Sequence, residues 1–405
     1  MASIRARRRA FTLAELLIVI TIITILSTIS LVAMYGVIDQ AKEQRTQAQI
    51  ARLHTIVMEK WESYRTRAVP LRISMSSVPK FPKQNPTPMQ LVAEARLRAL
   101  RELMRMELPE RQTDLDAIPP SAPGDTAHAT TEIALEYMYE DPSDSAKVVK
   151  GVWIAGRIAA PSSWHAYRRR AGYGRFNPAP GAGATWKSPA SWSLANEYAE
   201  CLYMIVANSM SGEDSALKFF QESEIGDVDG DGMREILDAW GRPIYFLRWA
   251  PGYTYTWGDN GRWGVANRDD DENGTVDDPV PDLPLLPEIL ERGPWLGSDD
   301  QLVSELQNPN GKSSPDPFDP LRADRRWRDS VSGNEPFALV PLIYSAGRDG
   351  LYGVWDLPSV ICYAEYDNDP YRAHKDTATG NPIQVGTPVD LGSVDNITNH
   401  LIEAK

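Results

Sequence analysis

Residues 7 to 20 read RRRAFTLAELLIVI, and this stretch decides the fold because it joins a basic cluster to a long apolar run. From Leu16 through Ile38 the chain has 23 residues without a charge. At about 1.5 Å per helical residue, the run is roughly 35 Å long and spans a hydrocarbon layer of ~30 Å. We therefore expect a membrane-spanning helix at residues 16–38.

The charges on either side of this run predict its orientation. Arg5, Arg7, Arg8 and Arg9 precede it with no acidic residue among the first ten, whereas residues 221–300 hold 19 acids and 6 arginines. The positive-inside rule then predicts a single pass through the inner (cytoplasmic) membrane, with the N-terminus cytoplasmic and the head periplasmic or extracellular. A cleaved secretory signal is the alternative, but its apolar region is shorter and ends at a small-residue cleavage site.

Glu15 is an unusual residue at the start of the apolar run. A carboxylate is costly in hydrocarbon unless a cation neutralises it. Alternatively, Glu15 lies near the headgroup interface, where it needs no cation.

The string RRRAFTLAELLIVI resembles the class III signal of type IV prepilins and type II secretion pseudopilins. The resemblance implies that a prepilin peptidase cuts between Ala10 and Phe11, removes the leader 1–10 and methylates the new amine. It also implies that Glu15 pairs with the N-terminal amine of a neighbouring pilin-like subunit. Two departures are Ala10, where the family usually has glycine, and the lack of a proline in the span.

The helix is expected to continue beyond the membrane, giving an N-terminal helical unit at residues 11–66. Apolar residues recur there at helical spacing with polar residues between them. A two-helix coiled coil is disfavoured because the heptads stop too early. The stripe consists of Ile50, Leu53, Val57, Trp61 and Tyr64.

Two further helices are predicted in the head, residues 67–405. Thr87 and Gln90 form a capping box with Pro88 at the first helical position, and this helix is expected to stop at Pro109 with its arginines on a solvated face. A third helix is expected from near Ser193. Its apolar face comprises Leu194, Tyr198, Cys201, Leu202 and Ile205, which makes Cys201 a core residue.

Strand signals lie late in the chain. Residues 244–249 and 253–257 flank Pro251-Gly252 and predict a β-hairpin, with further strands at 337–344 and 360–363. The predicted fold class is therefore α+β. The resemblance implies a pilin-like architecture: a long N-terminal transmembrane helix packed on an antiparallel sheet, here with helical and loop insertions.

The segment DVDGDGMREILD, residues 227–238, has the spacing of a twelve-residue calcium loop with Gly232 at the turn. We expect it to bind calcium, and a solvated acidic turn is the alternative. The ligand positions are occupied by Asp227, Asp229, Asp231, the Met233 carbonyl, Glu235 and Asp238.

A second acidic loop at residues 269–280 is a weaker calcium candidate. Val280 stands at its twelfth position, so the loop lacks a closing carboxylate, and a solvated turn explains it equally well. Its candidate ligands are Asp269, Asp271, Asn273, Thr275 and Asp277.

The segments DAWGRPIYFLRW, which begins at Asp238, and YSAGRDG, residues 344–350, resemble parts of the major pseudopilin of type II secretion. In that family a calcium loop lies near the second segment, which would implicate Asp349. Here the acidic continuation after Gly350 is missing, so a turn role is preferred for Asp349.

The composition excludes several function classes. With 42 Lys+Arg against 55 Asp+Glu and a net charge of -13, the chain is not expected to bind nucleic acid. The five histidines form no HExxH motif, no GxSxG occurs, and no enzyme activity is expected.

The sequence therefore predicts a pseudopilin-like structural subunit of a type II secretion fibre. One alternative is a minor or tip subunit of a type IV pilus or DNA-uptake fibre. Another is a membrane-tethered binding protein that does not polymerise.

Overall fold

The structure is a computed structural model, and it describes the following residues of the chain. These are residues 13–81, 83–116, 130–141, 144–173, 192–211, 214–254, 256–257, 263–264, 316–327, 336–356, 370–371, 374–375, 382–389, 391–393 and 395–400.

One helix, α1 (Leu13–Ser63), dominates the N-terminal part of the molecule. It is continuous over 51 residues and lies within the helical unit predicted at residues 11–66. Within the described part of the chain, no helix is both long enough and apolar enough to cross a membrane, and the span predicted at 16–38 is not confirmed.

The C-terminal half of α1 packs on the head through the predicted apolar stripe. The stripe residues, from Ile50 to Tyr64, are at most 2% exposed. Trp61 meets Phe318 edge to face at 5.2 Å between ring centroids. Burial of a large side chain contributes about 1.5–3 kcal/mol, so this stripe is a main attachment of helix to head.

The sheet under α1 has three antiparallel strands in the order β13, β10, β7. Leu342 pairs with Leu247, and Ser345 pairs with Ile397. Helix α1 contacts β10 and β13, while helix α4 (Glu197–Asn208) contacts β7. The expected antiparallel sheet against the outer half of α1 is confirmed. Its strands are β7 (Tyr245–Leu247), β10 (Leu342–Ser345) and β13 (Ile397–Thr398).

The predicted hairpin of 244–249 with 253–257 is wrong. Strand β7 pairs with β10 instead, and Pro251–Thr254 forms a short helix, α5. Gly252 explains the difference, because its amide donates to the Val385 carbonyl at 2.8 Å and a Cβ there would lie 2.1 Å from Thr387 Oγ1. The strand predicted at 360–363 lies outside the described residues.

Helix α2 (Pro88–Glu107) begins with the predicted capping box. The Thr87 amide donates to Gln90 Oε1 at 2.9 Å, and the Gln90 amide donates to Thr87 Oγ1 at 3.4 Å. The expectation that the arginines of α2 are solvated is wrong for Arg101 and Arg105, which are 6% and 2% exposed. Arg101 is paired with acids far along the chain, at 2.8 Å from Asp324.

A long hairpin that the sequence pattern does not predict, β1 with β2, lies beside α2. Its inner face buries Leu135 and Trp153, whereas Met138, Val152 and Ile154 on its outer face are more than half exposed. The strands are β1 (Thr130–Asp141) and β2 (Asp144–Ala159), and the hairpin is followed by helix α3 (Ser162–Arg170).

Helix α4 (Glu197–Asn208) is the helix predicted from near Ser193. Cys201 is fully buried, as expected for a core residue, and burial raises the pKa of its thiol. Leu194 precedes the helix and is 54% exposed, so its predicted place on the apolar face is wrong.

Short two-stranded ribbons complete the described strands. They pair β3 with β4, β5 with β6, β8 with β9, and β11 with β12. Their bounds are Met210–Ser211, Asp214–Ser215, Ile225–Gly226, Glu235–Ile236, Thr256–Trp257, Trp263–Gly264, His374–Lys375 and Pro382–Ile383.

A buried ion network joins the end of α2 to the sheet. Arg248, next to β7, is fully buried and lies 3.0 Å from Asp114 Oδ2, and its amide donates to Glu110 Oε2 at 2.7 Å. Burial opposes ionisation of Asp114, but Arg248, Arg105 and Arg111 hold the pKa of its carboxyl below the ordinary value.

Replacing Leu53 by alanine is expected to lower the free energy of unfolding of the head by about 2–5 kcal/mol, because a fully buried side chain is lost. Denaturant unfolding of the full chain in detergent measures this change. Leu26→Ala makes the same change at a 59% exposed position of α1 and is expected to cost less than about 0.5 kcal/mol. Equal losses in the two variants would refute the division of α1 into a free half and an attached half.

Arg248→Met is expected to destabilise the head by about 3–5 kcal/mol, because Glu110 and Asp114 lose a buried cation. The control is Arg96→Met on the exposed face of α2, where a change within about 0.5 kcal/mol is expected. A chemical-denaturation midpoint of Arg248→Met as high as that of the control would contradict a stabilising network.

Candidate functional site

Two regions carry the predicted functional residues: the N-terminal half of α1 and the acidic loop at 227–238. In the first region, Ala10 and Phe11 lie outside the described residues. Glu15 lies in the first turns of α1.

The N-terminal half of α1 presents apolar side chains on all sides. Between Leu16 and Leu26 the large side chains are 46 to 59% exposed. The hydroxyls of Thr21, Thr24 and Thr28 each donate to the carbonyl oxygen four residues earlier, at 2.7 to 3.0 Å. These hydroxyls are satisfied within the helix, so they do not oppose burial of its surface. A helix that is apolar all round is suited to burial in lipid or among other helices.

The acidic loop forms the turn between β5 and β6. Asp227 accepts hydrogen bonds from the amides of Gly230 and Gly232 at 2.8 and 3.1 Å. Both glycines have positive φ, +77° and +95°, a conformation that side chains disfavour. The expected glycine turn is therefore present, with the position-1 carboxylate fixing it.

Ser193, in the segment before α4, forms hydrogen bonds with two acids of this loop. The Ser193 amide donates to Asp231 Oδ2 at 2.6 Å, and the Ser193 hydroxyl donates to Asp229. On the strand that follows, Glu235 is fully buried and accepts a hydrogen bond from the Val228 amide at 3.1 Å.

The carboxylates gather into two groups that share Asp229. One group combines Asp229 with Asp227 and Glu235, and in each group the ligand atoms lie within 4.8 Å of one another. The other combines Asp229 with Asp231 and Glu200 of α4. Glu200 was not predicted, since it lies outside the twelve-residue motif. Its only sequence signal is an acid inside the apolar run YAECLYMIV.

The electrostatics of this cluster favour a cation. Burial, helped by the nearby charges of Asp231 and Asp229, raises the pKa of Glu200 to about 9. Burial raises the pKa of Glu235 to about 7, with Asp229 and Asp227 adding to the effect. An all-oxygen set of acids is the type of site that hard divalent cations occupy.

The structure does not bring Asp238 into either group. Its Oδ1 accepts hydrogen bonds from the amides of Trp240 and Arg242 at 2.8 and 3.0 Å, and its Oδ2 accepts one from the Ser345 hydroxyl at 2.6 Å. Met233, at position 7 of the motif, donates a hydrogen bond from its amide to Asp231 Oδ1 at 2.7 Å.

The remaining metal candidates are separate from this cluster. The loop at 269–280, with Asp269, Asp271, Asn273, Thr275 and Asp277, lies outside the described residues. Asp349 is an exposed turn residue whose Oδ1 accepts a hydrogen bond from the Leu351 amide at 2.8 Å.

Comparison with known families supports the N-terminal assignment. Residues 5–31 match the prokaryotic N-terminal methylation motif, which is the processing and helix-start signal of prepilin-like proteins. This motif points to a type IV pilin-like fibre subunit. The motif implies processing by prepilin peptidase, assembly with pilin-like subunits and a membrane-anchored N-terminus. Neither the curated proteins nor the solved structures gave a match.

Glu197, one turn before Glu200, lies apart from the acidic groups. It is 1% exposed, and its Oε2 accepts a hydrogen bond from the Gln112 amide at 2.8 Å. Burial raises the pKa of Glu197 to about 7, although that hydrogen bond and the Arg111 charge oppose the shift.

Glu197→Gln is expected to flatten the dependence of stability on pH between about 4 and 7. An unfolded glutamate has a pKa of about 4.3, so the folded chain keeps a proton over this interval that the unfolded chain releases. The stability from Glu197 is therefore complete below about pH 4 and is lost as pH rises through about 7. Unfolding midpoints across this range measure the slope. Glu59→Gln, at an exposed position of α1, is the control, and an equal slope in both variants would contradict the shift.

Proposed function

We propose that this chain is a pseudopilin-like structural subunit of a type II secretion fibre. One observation carries the proposal: in a single helix, the large apolar side chains from Leu16 to Leu26 are 46 to 59% exposed, whereas the stripe of the attached half is at most 2% exposed. The free half has no partner within the described chain that covers it. Its apolar surface is suited to contact lipid before the subunit assembles and the same helix of neighbouring subunits after assembly.

The methylation motif supplies the chemistry that sets the register between such helices. Cleavage before Phe11 creates a new amine four residues ahead of Glu15. A carboxylate in an apolar bundle is stable when a neighbour's ammonium pairs with it, and this pairing fixes the axial stagger between subunits. Prepilin peptidase, other pilin-like subunits and the inner membrane are thus the proposed partners. The head is assigned to the periplasmic or extracellular side.

Contacts between the two pseudopilin-like segments favour the secretion fibre over the other fibre types. The Ser345 hydroxyl donates to Asp238, and the Arg242 guanidinium donates to the carbonyls of Gly347 and Arg348 at 2.8 and 3.2 Å. Gly350 lies beside this contact at a φ of +82°, a backbone conformation that favours glycine. The two segments that carry the resemblance, the one that begins at Asp238 and residues 344–350, are therefore in direct contact.

A structural role needs neither a catalytic centre nor a nucleic-acid surface. We assign no enzyme activity to the chain. The buried acids described above are explained by hydrogen bonding, ion pairing and cation binding, and the net charge of -13 is unfavourable for phosphate backbones.

Glu15→Lys is expected to leave processing intact and to abolish assembly, because the lysine repels the neighbour's amine. Mass spectrometry of membrane-extracted protein is expected to show a mature chain that starts at methylated Phe11. Crosslinking between chains and the sheared-fibre fraction measure assembly. Glu43→Lys reverses an exposed charge on the same helix and is the matched control.

A mature N-terminus at any residue other than Phe11 would refute the processing step. Unchanged assembly and localisation of Glu15→Lys would instead identify a tethered protein that does not polymerise.

A further inference from the structure

Glu200 is the one member of the acidic cluster that comes from a helix outside the 227–238 loop. It is fully buried in α4, and the Trp192 indole N–H donates to its Oε2. Its Oε1 has no hydrogen-bond partner among the residues that the structure describes. A carboxylate oxygen that is buried without a partner is costly. Because Glu200 also belongs to a group of acids with Asp229 and Asp231, a cation bound by this group would remove that cost.

We propose that the acidic loop binds one calcium ion and that Glu200, instead of Asp238, supplies its closing carboxylate. This proposal concerns the head and does not depend on the fibre role. The loop ligands are those of positions 1, 3, 5 and 9: Asp227, Asp229, Asp231 and Glu235.

The proposed ligands come from two groups of acids that overlap at Asp229. Glu200, Asp229 and Asp231 offer oxygens within 4.8 Å of one another, and Asp227 and Glu235 meet the same Asp229 within the same limit. Because Asp229 belongs to both groups, a single ion beside it draws on oxygens from the loop, from β6 and from α4. Oxygens that repel one another at these separations become favourable contacts once a divalent cation lies between them.

Asp238 cannot take this role without loss. Three donors engage its two oxygens: the amides of Trp240 and Arg242 and the Ser345 hydroxyl. The side chain is 4% exposed, so turning it toward the loop would leave these buried donors unsatisfied. Asp238 holds the turn that follows the loop.

The ligand chemistry selects calcium among common divalent cations. Every side-chain ligand is a carboxylate, whereas zinc sites use histidine nitrogen or cysteine sulfur. Magnesium requires a small, regular octahedron that keeps several waters. Ligands from three segments on a turn with two positive-φ glycines suit the larger and more variable shell of calcium.

The test uses the full chain in detergent, stripped with EDTA and titrated with calcium chloride by calorimetry. Glu200→Gln is expected to weaken calcium affinity by about tenfold or more, because one charged ligand is lost. Its melting temperature in EDTA is expected to stay close to that of the unaltered chain, since glutamine keeps the size of the side chain and an oxygen that can accept the Trp192 hydrogen bond. Asp238→Asn is expected to change the affinity by less than about threefold while lowering the melting temperature in EDTA.

Glu222→Gln is the matched control, since it makes the same change at an exposed acid near the loop. Unchanged calcium affinity in Glu200→Gln would overturn the proposal. Loss of binding in a folded Asp238→Asn would also overturn it, and so would the lack of calcium binding by the unaltered chain.

A second measurement keeps the proposal testable if Glu200→Gln does not fold. Terbium replaces calcium in oxygen sites and emits when a nearby tryptophan transfers energy to it. Trp192 contacts Glu200 directly, so Trp192→Phe is expected to lose most of the tryptophan-sensitised terbium emission, and calcium is expected to displace the terbium. Full emission in Trp192→Phe would place the ion away from Glu200 and overturn the assignment.

Discussion

The structure depends on one helix whose two halves face different surroundings. From Ile50 onward, α1 buries its stripe against β10, β13 and α4, whereas the large apolar side chains between Leu16 and Leu26 point outward. Continuity matters here because an unbroken backbone transmits the orientation of one half to the other. A head fixed rigidly to the outer half therefore takes its position from whatever the inner half packs against. This coupling makes a prepilin-like N-terminus mechanically useful.

The acid-rich head folds because its charges are neutralised in the interior. Arg248 and Arg111 lie among Glu110 and Asp114, all fully buried, and Arg101 reaches Asp324 across 223 residues of sequence. A buried pair adds little stability compared with an apolar replacement, but breaking one is costly. These networks therefore fix which segments meet, and they join α2 to the sheet and to the 316–327 segment.

Features that depend on local periodicity were predictable from the sequence. The stripe of α1, the Thr87 cap of α2 and the burial of Cys201 follow from helical spacing and local hydrogen bonding. Strand pairing was not predictable in the same way, because it depends on contacts between distant segments. Strand β7 pairs with a strand about 100 residues away, and the backbone at Gly252 packs closely against Thr387. In the acidic site, the motif identifies the four loop acids that gather around Asp229, namely Asp227, Asp229, Asp231 and Glu235. It cannot reveal Glu200, which only tertiary packing brings near.

The acidic loop and the assembly helix are connected by short contacts. At the end of the loop, the Gln49 side-chain amide donates to the Leu237 carbonyl at 3.1 Å. Just after the loop, the Ala239 backbone amide donates to the Thr46 hydroxyl at 3.1 Å. Before the loop, Glu224 pairs with Arg52 at 3.2 Å. These contacts lie on the part of α1 where the exposed half ends and the head begins. A cation that orders the loop would therefore also stiffen the base of the head, since ion binding and local folding are linked.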